Sequence, residues 1–305
     1  MSGFCFFWAL CYLNLIMPKT PKPRWLICSA IVVLTIYTFY FLKSNDGLLH
    51  VYFLSVGQGD AIFIKTPSGN QILVDGGPDN SVVQELGKVM PFWDRSIDVL
   101  VMTHSDADHL NGLPEVLERY KVSQVVETGI ECISAQCEKW KRLIEEEGAG
   151  RRIVWLGKKI DVGDGVMFEV LSPFENEEGE SVNKKNNSSV VLKMIYGEQE
   201  LLLTGDIEEM VERKLALAGV DIDVDFLKVA HHGSKTSTSE IFLNASTPKL
   251  AFINVGIKNR YGHPTEEVLN RLSNHGIKYY RTDTNGTIEL MLDGSNYRVK
   301  YGKLN

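Results

Sequence analysis

Runs of apolar residues divide most of this 305-residue chain into short strands and helices. Residues 61–66 and 71–75 are β-rich runs separated by a Pro-Ser-Gly-Asn turn, which predicts a hairpin. Residues 97–103 (IDVLVMT) have an unbroken apolar centre, which predicts a buried strand, whereas residues 81–90 show helical spacing. The other predicted strands are 48–53, 122–127, 152–155, 166–171, 190–196, 200–203, 226–229, 250–255, 278–281, 287–292 and 297–301, and the other predicted helices are 114–120, 137–147, 207–218, 239–244 and 265–274.

Residues 48–305 contain no linker rich in proline, glycine or serine and no short-period repeat. Residues 174–187 (FENEEGESVNKKNN) are polar and charge-dense, which predicts an exposed mobile loop. We therefore expect one domain in which mixed sheets are covered by helices, an α/β (α+β) fold.

An apolar segment precedes this domain. Residues 25–42 carry no charge, and at ~1.5 Å per residue they would reach about 27 Å, close to a bilayer core of roughly 30 Å. Lys19, Lys22 and Arg24 precede the segment, so the positive-inside rule predicts a single-pass anchor in the cell membrane with the domain outside the cytoplasm. A cleaved signal peptide is the competing interpretation, although no small-x-small cleavage site follows.

Residues 1–24 combine a short apolar run (3–17) with a basic lead. The run is either a membrane-associated piece, or it lies outside the natural protein because translation begins at Met17. The chain has five cysteines but no Cys-x-x-Cys pair, which argues against a zinc ribbon or a thioredoxin-like motif. Cys132 and Cys137 are either a local disulfide in an oxidising compartment or two thiols.

Charge narrows the choice of partners. The net charge is −7, with +3 in residues 1–47 and therefore −10 in the remainder. An acidic domain has no overall attraction for nucleic acid, so such a role would need a local positive feature such as a metal ion.

The densest chemical cluster is residues 103–112 (THSDADHLNG), directly after a buried strand and before a helix. His104, Asp106, Asp108 and His109 lie within six positions, and this mixture of carboxylates and imidazoles suits zinc, manganese or iron. A helix-capping loop, the structural alternative, would need only one aspartate.

Two aspartates stand at other strand ends. Asp75, in LVDGG, either orients a ligand histidine or opens a turn. Asp206, in LLLTGD, is either a ligand or an ordinary helix N-cap.

Two later segments add further candidates. His231 and His232 are adjacent at a strand end, where such a pair is rarely structural. Ser234 and Lys235 follow in HHGSKTSTS, which either holds a phosphate or caps the next helix. His263, in NRYGHP, is a candidate ligand, general acid or phosphate contact.

In this order the motifs LVDGG, THSDADH, LLLTGD and AHHGS resemble the metallo-β-lactamase fold. The segments VGQGDA, SDADHLNGL, NNSSVVL, HHGSKTSTS and NRYGHP resemble one branch, the hydrolase domain of the ComEC DNA-uptake (competence) proteins, over about residues 48–302. In that family the domain is joined to a multi-span channel. Because this sequence shows only a single predicted anchor, we expect a stand-alone relative.

The resemblance implies a four-layer αββα sandwich that binds one or two divalent ions, zinc or manganese, at one edge. His104 and Asp106 would hold the first metal, Asp206 would bridge, and the second would be held by Asp108, His109 and His231. Asp106 stands where the superfamily usually has histidine, and residues 186–188 (NNS) stand near an expected histidine. Either the first site prefers a harder ion such as manganese, or only the second fills.

The remaining roles also follow from the resemblance. Asp108 and His263 would be the catalytic residues, with His263 near the substrate. The side chains expected behind the ligands or against the substrate are Asp75, His232, Ser234, Lys235 and Asn259.

The anchor segment and the candidate ligands predict a membrane-anchored, extracytoplasmic, metal-dependent hydrolase. The resemblance implies a phosphodiesterase or nuclease that acts on DNA in competence-related uptake, with a separate channel protein as a further partner. Local attraction would come from the metal and from Lys228, Lys235, Lys258 and Arg260. The alternatives are a hydrolase of small esters, lactones or lactams, and a non-catalytic DNA-holding module.

Overall fold

The computed structural model of the protein describes residues 25–35 and 46–302. The chain divides into two compact units, Met1–Asp46 and Gly47–Asn305. In the first unit, residues 25–35 are helical and exposed. Among the described residues, no helix combines the length and the apolar character needed to cross a bilayer. The predicted lead 1–24, with its alternative start at Met17, and the predicted anchor's residues 36–42 lie outside the described residues.

The second unit contains two mixed β-sheets. The first has the order β15-β14-β1-β2-β3-β4-β5-β6, and the second has the order β13-β12-β11-β10-β9-β8-β7. The strands are β1 (Leu49–Phe53), β2 (Ile62–Lys65), β3 (Gln71–Val74), β4 (Ser96–Val101), β5 (Lys121–Glu127), β6 (Gly150–Ile153), β7 (Lys159–Asp161), β8 (Val166–Ser172), β9 (Val191–Tyr196), β10 (Gln199–Leu203), β11 (Phe226–Lys228), β12 (Leu250–Ile253), β13 (Lys278–Arg281), β14 (Ile288–Leu292) and β15 (Tyr297–Tyr301).

Helices cover the outer faces. The α-helices of this unit are α1 (Ser81–Val89), α2 (Ala107–Leu110), α3 (Leu113–Leu117), α4 (Ala135–Glu147), α5 (Glu209–Leu217), α6 (Glu240–Ser246), α7 (Glu266–Asn274) and α8 (Thr282–Asn285). Side chains of α1, α3 and α4 pack on the first sheet. Those of α5, α6 and α7 pack on the second.

A third apolar cluster fills the space between the sheets. The alternation of β1 shows why: Val51 and Phe53 face this inner layer, while Tyr52 packs with the helix side of the sheet. Phe53 stacks on Phe252 of the second sheet with 4.2 Å between ring centroids. This unit therefore has the predicted order of layers, helix, sheet, sheet and helix.

The predicted elements differ from the structure at short segments. β7 and α8 were not predicted, and the predicted helix 114–120 corresponds to α3, which is preceded by the separate short helix α2. Cys132 and Cys137 are disulfide-bonded just before and inside α4, with 5.7 Å between their Cα atoms. Ser134 caps that helix by accepting a hydrogen bond from the Cys137 amide at 3.2 Å.

Candidate metal centre

The candidate site residues follow strands that run in the same direction. β3 and β4 are parallel neighbours in the first sheet, and β10 and β11 are parallel neighbours in the second. Their carboxyl ends are followed by Asp75, by the cluster 104–109, by Asp206, and by His231 and His232, respectively. Parallel pairing thus brings side chains that are distant in sequence to one edge of each sheet.

Backbone hydrogen bonds join the loops after β3 and β4 to each other and to the loop after β1. The Gly76 amide donates to the His109 carbonyl at 2.8 Å, and the Asp60 amide donates to the Asp108 carbonyl at 3.2 Å. Gly59 has φ +145°, and a Cβ there would lie 2.2 Å from the Asp108 carbonyl oxygen. Only glycine permits this approach, so Gly59 of VGQGD fixes the position of the cluster.

Four side chains form a compact group, which we call the ligand group: Asp108, His109, Asp206 and His232. Oδ2 of Asp206 lies 3.3 Å from Nε2 of His109 and 3.3 Å from Nε2 of His232. Oδ2 of Asp108 lies 3.3 Å from Nε2 of His232. One possible ligand atom from each residue lies within 4.8 Å of all the others.

Three polar atoms of this group are buried without hydrogen-bond partners. Nε2 of His109 and of His232 and Oδ1 of Asp206 are in this state, as is Nε2 of the neighbouring His104. Asp206 is not a helix cap, since α5 begins only at Glu209, and Asp106, which precedes α2, makes no capping hydrogen bond. Unpaired buried polar atoms are costly, and imidazole with carboxylate is a common donor set for zinc and manganese, so these residues fit a divalent cation.

The electrostatics of the group are those of opposite charges in a buried space. Burial raises the pKa of Asp206, but the charges of His232 and His109 outweigh it and hold the pKa well below its usual range. Burial lowers the pKa of His109 and of His232, but Asp206 and its neighbouring carboxylates raise both pKa values well above the usual range. The buried carboxylates thus favour the charged form of both imidazoles, and a metal ion would bind in competition with the proton.

Comparison with known proteins agrees with this geometry. The model of the metallo-beta-lactamase superfamily matches residues 54–256, which contain every member of the ligand group. The chain belongs to the metallo-beta-lactamase superfamily. This superfamily has the fold of metal-dependent hydrolases, which bind one or two metal ions.

Within the superfamily, the chain is similar to competence proteins. It is 35% identical over 279 residues to ComE operon protein 3 of Bacillus subtilis (strain 168), an alignment that covers 86% of this chain and 35% of the relative. It is 33% identical over 256 residues to competence protein ComA of Neisseria gonorrhoeae, covering 82% of this chain and 33% of the relative. The chain therefore spans about a third of the length of the curated relatives it matches.

A solved structure shows the same fold. The metallo-beta-lactamase fold protein YhfI from Bacillus subtilis superposes with a TM-score of 0.54 at 9% sequence identity, covering 79% of this chain and 99% of that protein. The chain is thus a metallo-beta-lactamase-fold protein related to the ComEC-like competence proteins.

The residues expected for a first metal lie beside the ligand group. Nε2 of His104 is 4.0 Å from Oδ2 of Asp106, whose side chain is 41% exposed. Burial, and then the charge of His109, lower the pKa of His104 to about 3. Ser189 directly follows residues 186–188, near which a further histidine was expected, and its Oγ lies 3.3 Å from Nδ1 of His104. This half of the centre thus has fewer protein donors than the ligand group.

Asp75 lies directly behind a ligand-group histidine. Its Oδ2 accepts hydrogen bonds from Nδ1 of His109 at 2.7 Å and from Oγ1 of Thr103 at 2.6 Å. The Thr103 amide donates to Oδ1 at 2.8 Å. These contacts fix the ring of His109 with Nε2 facing the ligand group, and such a carboxylate raises the basicity of a metal-binding imidazole.

After β11 the structure places His232 in the ligand group, where the sequence predicted His231. Nδ1 of buried His232 donates to the Asn254 carbonyl at 2.9 Å, which turns Nε2 toward Asp206. Nε2 of His231 lies 3.9 Å from Asp206 Oδ2 and 3.4 Å from Nδ2 of Asn186, at the rim. Both histidines have left-handed backbone, with φ of 50° and 54°, a strained conformation typical of functional sites.

The predicted substrate residues occupy the rim. Oδ1 of Asn259 accepts from the His263 amide at 3.0 Å, and Nδ2 of Asn259 donates to the His263 carbonyl at 2.7 Å. The imidazole of His263 lies 5.8 Å from that of His231, and its Nδ1 has no hydrogen-bond partner. Lys235 is exposed, while Ser234 is buried and bonded to Thr236 at 3.0 Å, so Ser234 supports its loop.

Two buried residues were missed as parts of the site. Asp60 contacts His232, with Oδ1 3.3 Å from Nδ1, and it is paired with Lys228. Lys228 also lies 3.6 Å from Oδ1 of Asp206 and donates to the Gly205 carbonyl at 3.0 Å. Because Lys228 is fully buried, it cannot give the local attraction for a strand that its sequence position suggested. The sequence did carry a signal: Lys228 interrupts the apolar residues of DFLKVA, and a charged residue is rarely buried without a partner.

Proposed function

We propose that this protein is a metal-dependent phosphodiesterase that acts on DNA in competence-related uptake. The ligand group carries the proposal: four converging donors that fit a divalent cation, with Asp108 also lining an open cleft of about 390 Å³. The names of its relatives, a ComE operon protein and a competence protein, support DNA as the substrate.

In this proposal Asp108, His109, Asp206 and His232 hold the ion, and His104 with Asp106 form the weaker half of the centre. A bound zinc or manganese ion would supply Lewis acidity, which lowers the pKa of water and polarises a phosphoryl oxygen. The chain's own part is to orient the donors and to exclude competing contacts.

The protein supplies two further functions at the rim. Asn259 holds the backbone of His263 at both its amide and its carbonyl, so the imidazole has a defined position. In this position the half-buried imidazole, 5.8 Å from that of His231, would exchange a proton with the substrate or stabilise charge on a phosphate. Exposed Lys235, Lys258 and Arg260 would attract the strand to an otherwise acidic domain.

We also propose that the domain acts outside the cytoplasm at the cell membrane, next to a separate channel protein. The uncharged segment 25–42 and the basic residues before it support this orientation. Protease added to intact cells, once any outer barrier is opened, should digest the domain. Complete protection would place it in the cytoplasm.

The activity test uses the purified full chain, stripped of metal with EDTA and reloaded with manganese or zinc. It should cleave a labelled DNA oligonucleotide only when metal is present, and Asp108→Ala should abolish cleavage. Asp221→Ala is the matched control, since this aspartate is exposed and bonded to Lys193 away from the ligand group. Failure on DNA together with hydrolysis of a small ester or a lactam would refute the nuclease proposal. Metal-independent strand binding without cleavage would favour the holding module.

A further inference from the structure

Residues 259–261 line the cleft and belong to the segment 256–263, which we call the wall. The Gly256 amide donates to Oε1 of Gln58 at 3.1 Å, and a Cβ at Gly256 would lie 2.6 Å from the Gln58 amide nitrogen. Asn259 closes the other end of the segment by bonding to His263. The side chains between these two points are therefore presented from an ordered backbone.

Three planar groups lie together on this wall. The Tyr261 ring is stacked with the His263 imidazole at 5.8 Å between centroids and 24° between planes. The Arg260 guanidinium carbon lies 4.9 Å from the Tyr261 centroid, and Arg260 donates to the Tyr261 hydroxyl at 2.8 Å. An exposed tyrosine is not needed for the core, and these contacts hold its ring in one orientation.

This aromatic surface adjoins the ligand group. Tyr261 and Arg260 line the same cleft as Asp108, and Tyr261 remains 53% exposed. Arg260 adds positive charge beside the ring without being part of the ligand group, and exposed Lys258 lies two positions before it in the chain. A flat apolar face and a cation within one cleft match a polymer that carries planar bases on a phosphate backbone.

We infer that Tyr261 is a stacking platform that holds an unpaired base next to the reacting phosphodiester. The inference rests on the proposed function and narrows its substrate to single-stranded or frayed nucleic acid, since the bases of an intact duplex are already stacked on each other. Stacking tolerates any base, so the platform selects strand state rather than sequence.

The test measures binding and hydrolysis separately with the full chain. Fluorescence anisotropy in EDTA compares a thymidine oligonucleotide, an abasic oligonucleotide of equal length and a duplex. Tyr261→Leu should weaken binding of the thymidine strand about 5- to 150-fold, the contribution of one stacked base, and leave the abasic strand unchanged. Tyr261→Phe keeps the ring and should stay within about twofold of wild type. Phe92→Ala removes an exposed aromatic side chain from the amino-terminal side of β4 and should change the binding of neither the thymidine strand nor the abasic strand.

Equal binding of thymidine and abasic strands by the wild type would overturn the inference, as would an equal loss on both strands in Tyr261→Leu. Tighter binding of the duplex than of the single strand would overturn the inference that the stacked base is unpaired. With manganese present, the same variant should raise KM on the thymidine strand more than it lowers kcat. If the wild type hydrolyses neither strand but binding depends on Tyr261, the proposed activity fails while the platform stands.

Discussion

Replacing Lys228 with methionine should destabilise the protein even in the absence of metal. The Lys228 ammonium pairs with Asp60, and their side chains are 1% and 2% exposed. Methionine fills a similar volume but leaves the Asp60 carboxylate without its main partner and removes one of the donors to the Gly205 carbonyl. Breaking a buried ion pair from one side costs about 3–5 kcal/mol. For a unit that runs from Gly47 to Asn305, this corresponds to a fall in Tm of about 6–9 °C.

Thermal unfolding of the full chain in EDTA, followed by tryptophan fluorescence, measures the effect. The double variant Asp60→Asn with Lys228→Met should lose much less than the sum of the single changes, because no buried charge is left unpaired. Lys249→Met is the control: its pair with Asp225 is at the surface and should shift Tm by about 2 °C or less. Additive losses in the double variant, or an unchanged Tm in Lys228→Met, would refute the coupling.

Three further outcomes follow from the geometry and charges. Because the pKa values of His109 and His232 are raised, metal affinity should increase with pH through the neutral range, and metal binding should release protons. Calorimetry in buffers of different ionisation enthalpy measures this release, and a pH-independent affinity would contradict it. Burial raises the pKa of Glu212, so the folded state retains the Glu212 proton to higher pH than the unfolded state does. The stability of the wild type relative to Glu212→Gln should therefore be greatest below the unfolded pKa and decline as pH rises through the folded pKa. A series of denaturation curves with the opposite trend would refute this direction. His263→Ala should leave metal content nearly intact but lower turnover by roughly 10²–10⁴; loss of metal would make it a ligand, and normal turnover would make it structural.

Much of the fold could be predicted because its strands carry their own pattern. The apolar run before the cluster 104–109 indicated a buried strand, and the polar residues after it indicated a site at the strand's carboxyl end. β7 was missed because its three residues (KID) include only one buried apolar side chain. Such a short edge strand is defined by its pairing with β8 rather than by its own sequence.

The choice between His231 and His232 depended on geometry that the sequence does not encode locally. Both residues have left-handed backbone, so the strand alternation that would assign their directions does not apply. Asp60 acquires its role only when the loop after β1 meets the ends of β4 and β11, a tertiary contact over more than a hundred positions. Backbone conformation and long-range packing, rather than residue type, decide which histidine joins the ligand group and which side chains Asp60 contacts.

Metal content after loading and exhaustive dialysis tests the central claim most directly. Mass spectrometry of the wild type, His232→Ala and His231→Ala would show which histidine binds the ion. The geometry of the ligand group predicts that the wild type and His231→Ala retain bound zinc or manganese while His232→Ala loses most of it. Full metal content in His232→Ala, or its loss in His231→Ala alone, would contradict the assigned metal centre.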